Sequence, residues 1–127
     1  EEDSASIRDG LILPMLRSIG RNRAGKSNWQ SWHNAAMLWA GGAIGDDRWI
    51  RRAISDEGNG FEDQMRISVT ADGMWYENSW GYHFYTLSAL VELVIAAERN
   101  GIPLVARAPK LKRMFDAPIA LAARSSG

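Results

Sequence analysis

Two His and three Tyr stand in a chain of 127 residues that has no Cys. They gather in two stretches. His33 lies within Ser27-Asn28-Trp29-Gln30-Ser31-Trp32-His33-Asn34, and Tyr76, Tyr82, His83 and Tyr85 lie between Asp72 and Thr86. An imidazole titrates near about 6.5 and a phenol near about 10, so a His and a Tyr in one cleft can share acid and base work when their surroundings shift them. Each residue also has a plainer reading. His33 follows Trp29 by four positions among apolar neighbours, as a core histidine bonded to a backbone carbonyl would. Tyr82 opens a helix, where it is either a packing aromatic with its hydroxyl in water or a reactive group reaching a cleft. His83 points about a quarter turn away from Tyr82 on that helix, toward substrate or into packing. Asp72 reads as a turn cap, and Glu77 as a cap or as a group that orients His33 or a sugar hydroxyl. Together they are the one carboxyl pair here suited to paired acid and base work.

Six Trp in so short a chain are unusual. Indole fills cores, and its flat face also lines sugar-binding clefts. Trp29, Trp75 and Trp80 lie at the ends of elements and are the candidates for sugar stacking, whereas Trp32 and Trp39 read as core. The two His lack the spacing of a metal motif, no acidic run resembles a calcium loop, and Gly41-Gly42 is not a phosphate-cradling loop. The expectation is therefore no metal and no cofactor.

These residues need helices to position them. Ser4 or Ser6 caps a first helix over about 7–19, where Leu11, Ile12, Met15, Leu16 and Ile19 recur at helical spacing, with Pro14 kinking it or delaying its start. Ser27 or Asn28 caps a second helix that runs to about Ala43. Trp29, Trp32, Ala36, Trp39 and Ala43 share one face of it, widened by Met37, Leu38 and Ala40. Asp46 or Asp47 caps a third helix through Ile54. Gly58-Asn59-Gly60 breaks the chain before a short helix from Phe61, and Ala71-Asp72-Gly73 signals a turn. Met74 to Ser79 reads as an ordered loop. The strongest pattern runs from Trp80 to Arg99, closed by Asn100-Gly101. Beyond Pro103, residues 104–123 read as helix interrupted by Pro109 and Pro118. No alternating strand pattern stands out. The fold expected is all-α, built of helical hairpins packed side by side.

Fifteen basic and fifteen acidic side chains cancel, so no global charge argues for a nucleic-acid partner. No apolar run approaches the roughly 20 residues a membrane helix needs. A chain of this length holds one modest core, a single helical domain or a fragment of a larger one. Its start, Glu1-Glu2-Asp3, suggests a processed or excised piece, with any signal peptide upstream.

Two segments carry a family resemblance. Ser27-Asn28-Trp29-Gln30-Ser31-Trp32-His33-Asn34-Ala35-Ala36 and Asp72-Gly73-Met74-Trp75-Tyr76-Glu77-Asn78-Ser79-Trp80-Gly81-Tyr82-His83-Phe84-Tyr85, continuing to Leu90, resemble central helices of the heparinase II/III and alginate-lyase polysaccharide lyases. The likeness spans roughly residues 26 to 105. It implies part of an incomplete (α/α) toroid and β-elimination from an acidic, uronate-containing polysaccharide. In that reaction the uronate carboxylate is neutralised, the C5 proton removed and the leaving oxygen at C4 protonated. Tyr82 is similar to the family's catalytic Tyr, which implies a general acid that can also share the base's work. His33 is similar to its His, acting as base or carboxylate neutraliser. The family places Asn directly before that His, where Trp32 stands here, so the neutralising amide is Asn28 or Asn34. Trp29, Trp75, Glu77, Trp80 and His83 are the implied substrate contacts. The loop cations Arg21, Arg23 and Lys26 either bind a uronate carboxylate or are simply solvated. The resemblance also implies a β-rich domain of the same parent chain, absent from these residues, and a periplasmic or secreted location. The rival readings are a glycoside hydrolase on a helical toroid and a noncatalytic helical domain that binds glycan or a partner.

Overall fold

A computed structural model describes residues 2–125 and shows an all-α chain. Its helices are α1 (Glu2–Ile7), α2 (Leu13–Arg21), α3 (Asn28–Ala43), α4 (Asp47–Ser55), α5 (Phe61–Ile67), α6 (Trp80–Arg99), α7 (Leu104–Arg107) and α8 (Pro109–Ser125). Helix begins earlier than residue spacing predicts, so Ser4 and Ser6 lie inside α1 and do not cap it; α1 buries nothing and leaves no apolar stripe to read. Between α1 and α2 the helix widens to a π-turn, Arg8–Ile12. Pro14 explains its position: the pyrrolidine ring would strike the carbonyl one turn back, and a widened turn gives it room. The sequence pattern allowed a kink or a late start; the helix instead stays continuous by widening.

Caps set the next boundaries. The Ser27 hydroxyl accepts from the Trp29 N–H, and the Asp46 carboxylate accepts from the Arg48 N–H at 3.1 Å. The Ser79 hydroxyl caps α6 through Tyr82 N–H. Between α5 and α6 the chain makes a tight return, with an isolated antiparallel bridge between Val69 and Trp75. Gly73 sits at its tip with φ +89°, and a Cβ there would collide with the Arg113 carbonyl of α8. Only glycine lets this return lie against α8.

α3 and α6 run parallel. Trp32 meets Tyr85 at 5.3 Å between ring centroids, and one turn pair further on the Trp39 indole N–H donates to Glu92 at 3.2 Å. At the far end a Cβ on Gly42 would lie 2.5 Å from the Asn100 amide, so the glycine permits close approach there. Both helices therefore start at the same end of the molecule, where the 68–79 segment crosses. α4 folds back on α3 as a hairpin. One apolar cluster joins Leu16, Leu38, Ile54, Phe61, Trp75, Leu90, Leu104 and Met114 across α2 to α8.

Two expectations change. Trp32 is half-buried on the α3–α6 seam outside the core cluster, and Trp39, also half-buried, packs against that cluster from its edge; α3 buries Ser31, Asn34, Ala35, Met37, Leu38 and Gly41. Pro118 lies inside α8 without ending it. Among the described residues no helix is long and apolar enough to cross a membrane.

Candidate active site at the start of the paired helices

The first turns of α3 and α6 and the loop before α6 hold most of the residues singled out above. Glu77 is the joint. One of its carboxylate oxygens, Oε2, accepts Asn28 Nδ2–H at 2.9 Å and the Trp75 indole N–H at 2.7 Å. Neighbouring Tyr76 donates its hydroxyl to the Lys26 carbonyl at 2.8 Å, and the Lys26 ammonium lies 4.4 Å from the Tyr76 ring centroid. Burial, and then the Glu77 charge, raise the Tyr76 phenol above its ordinary pKa. Asn28 is thus held at the helix start with its amide oriented by a carboxylate.

Tyr82 projects from the first turn of α6 and is 51% exposed. With Ser79, Gly81 and Tyr85 it lines a shallow hollow of about 320 Å³. Among the described residues nothing bonds its hydroxyl, which leaves that group available to a ligand. His33 is half-buried on α3. Burial lowers its pKa, opposed by a hydrogen bond with the Asn22 backbone, so the neutral imidazole is favoured. No hydrogen bond joins His33 to Tyr82 among the described residues. Four buried polar atoms lack a partner among them: Ser31 Oγ, Trp32 Nε1, His33 Nδ1 and Thr86 Oγ1. Such atoms are rare in folded proteins, and here all four lie on α3 and the first turns of α6.

Three candidates take structural places instead. Asn34 is fully buried; it accepts from Gln30 Nε2 at 2.8 Å and donates to the Asn59 carbonyl at 2.7 Å. Both ends of the Asn34 amide are thus engaged inside the fold; Asn28 is also buried, at 7% exposed, and its one side-chain bond goes to Glu77. Trp75 is fully buried and offers no face to a sugar. His83 is fully buried too, with Nδ1 accepting the Trp75 backbone N–H at 3.2 Å and Nε2 bonded to the Met114 carbonyl at 2.9 Å. Its ring packs against Trp80 and supports the helix start from behind. Trp29, at 64% exposed, and Trp80, at 40%, keep open faces. Glu77 is half-buried, and its bonds make it a positioning group.

Spacing did not reveal the buried network that fixes the loop before α3. Gln30 Oε1 accepts from Ala24 N–H, Asn59 Oδ1 accepts from Gly25 N–H, and Gln64 Nε2 donates to the Gly25 carbonyl. The signal available was three amide side chains, Gln30, Asn59 and Gln64, placed where apolar residues would otherwise be read.

The sequence profile of the alginate lyases matches residues 10–126, nearly the whole chain. The chain belongs to the alginate lyase family. Membership makes it part of a polysaccharide lyase, with a polysaccharide as substrate. The match extends from α2 through α8, beyond the two segments that carry the resemblance. No curated protein and no solved structure matches the chain.

Proposed function

We propose that the lyase carrying this chain cleaves a uronate-containing polysaccharide by β-elimination at the α3–α6 helix starts, on the inner face of an incomplete (α/α) toroid. The observation that carries this reading is Tyr82: an exposed phenol with a free hydroxyl, at the helix start where the family resemblance puts the catalytic Tyr. The C5 proton of a uronate is weakly acidic, and stabilising the enolate-like intermediate is the largest electrostatic task. Asn28 is the amide for the carboxylate, and His33, kept neutral by burial, is the base or a further donor to that carboxylate. Tyr82 protonates the leaving oxygen at C4 and shares in removing the C5 proton. Trp29 and Trp80 supply stacking faces for neighbouring sugars.

Alginate and heparin-like, glucuronate-rich chains both satisfy this chemistry, and we place the enzyme in the periplasm or outside the cell, where such polymers occur. The hydrolase alternative has less support. Glu77 Oε2 is taken up by Asn28 and Trp75, and Asp72 bonds Thr70 within the 70–74 turn. Elimination leaves a conjugated unsaturated uronate that absorbs ultraviolet light, and hydrolysis does not. Polymer cleavage without that absorbance would overturn the elimination reading.

A further inference from the structure

Of the three cations before α3, Arg21 ends α2, while Arg23 and Lys26 lie in the loop that follows, and the fold treats these two differently. Arg23 donates to the Glu57 carbonyl at 2.7 Å and pairs with Asp56 at 3.1 Å, so it fastens the loop to the turn ahead of α5. Lys26 pairs with no carboxylate among the described residues. One side chain, Tyr76, instead fixes it twice: through the ring beneath its ammonium and through the hydroxyl bond to its carbonyl. The next residue after Tyr76 is Glu77, which holds Asn28. Lys26 is thereby tied to the same short segment that orients the amide.

We propose that Lys26 recognises the uronate carboxylate and sets the preference for a charged over an esterified sugar. This rests on the elimination reading above. An aromatic face attracts an ammonium but uses none of its three N–H donors, so the cation is pre-ordered and still free to bond. Pre-ordering removes part of the entropy cost of gripping a ligand. A carboxylate approaching Asn28 also meets the negative charge of Glu77, and repulsion at such short range opposes binding unless a cation offsets it. Lys26 supplies that offset, because the Glu77 carboxylate is held by neutral N–H donors and does not consume the Lys26 charge. A charge-assisted bond between ammonium and carboxylate follows.

The test uses the full lyase and its Lys26→Gln and Lys26→Arg variants, with a polyuronate and its methyl ester as substrates. Lys26→Gln keeps the backbone carbonyl that Tyr76 grips, so the fold is retained. The expected result is a KM about ten- to a hundred-fold higher for the free acid, with kcat less affected, little change for the ester, and recovery in Lys26→Arg. Calorimetric titration with a uronate oligosaccharide and its ester reads the same contrast without turnover. If Lys26→Gln keeps the wild-type preference for acid over ester in both measurements, Lys26 is not the recognition residue, even where unsaturated product still forms. If no unsaturated product forms at all, the elimination reading fails, and the titration alone decides on Lys26.

Discussion

His83 bonds the Met114 carbonyl, and Pro118 is the reason that carbonyl is free. In an α-helix the Met114 oxygen would accept from the residue four positions on, which is Pro118 and has no N–H. His83 Nε2 fills the vacancy at 2.9 Å, while Nδ1 accepts from the Trp75 backbone at 3.2 Å. A ring with an acceptor on one side and a donor on the other is a neutral imidazole protonated at Nε2. The proline therefore stays inside α8 without leaving its orphaned carbonyl unpaired, and α8 is bolted to the start of α6. His83→Ala is expected to destabilise the fold by about 1–3 kcal/mol in denaturant unfolding. In a Pro118→Ala background the new N–H competes for Met114, so the same substitution should cost less. Equal costs in both backgrounds would contradict the pairing.

His33 makes the opposite prediction, about protons and not packing. Burial lowers its pKa, so its titration by nuclear magnetic resonance should have a midpoint below the usual value of about 6.5. Between the folded midpoint and about 6.5, the unfolded chain binds more protons than the folded one. Stability contributed by neutral His33 is thus present above about pH 6.5 and is lost as pH falls toward the folded midpoint. His33→Gln should flatten that part of the stability profile. A midpoint above that of a free imidazole would contradict it.

Glu77 is expected to act as a clamp. Glu77→Ala leaves Asn28 Nδ2–H and the buried Trp75 indole N–H without their shared acceptor. A loss of about 1–3 kcal/mol should follow, with a change in Trp75 fluorescence. Glu77→Gln keeps an acceptor oxygen in the same place and should retain most of the stability. Equal losses for both would show that charge, not hydrogen bonding, is what matters there.

Gly73 is the residue least open to substitution in the 68–79 return. Gly73→Ala adds a Cβ at φ +89° and against the Arg113 carbonyl. Strain alone should cost on the order of 1–3 kcal/mol, with the overlap adding to it. A thermal midpoint unchanged from wild type would show that the return does not pack on α8.

Caps made three helix ends legible and misplaced a fourth. Ser27 or Asn28, Asp46 or Asp47, and Asn100-Gly101 mark ends of α3, α4 and α6 to within a residue or so, whereas Ser4 and Ser6 lie inside α1. α1 was not legible at its start because it has no buried face. Pro118 looked like a break, because nothing local in sequence shows that His83, 31 positions earlier, will take the freed carbonyl. Trp32 and Trp39 read as core because indole is apolar in any count, yet the fold gives the interior of α3 to Ser31, Asn34 and Leu38 and leaves both indoles half-buried. Of the candidate site, the resemblance selected Tyr82 and His33. Both Asn28 and Asn34 are buried, and only the fold shows that Asn34 has both ends of its amide engaged while Asn28 bonds through Nδ2 to Glu77.

The role of Tyr82 is the centre of the account, and one substitution tests it most directly. Tyr82→Phe in the full lyase removes a single exposed hydroxyl that nothing in the described fold bonds. Ultraviolet absorbance of the unsaturated uronate, followed with a polyuronate substrate, should fall by at least about a hundredfold in rate, within the range for losing a general acid or base. The thermal midpoint and the affinity for substrate should stay close to wild type. Wild-type rates of unsaturated product from Tyr82→Phe would contradict the assignment.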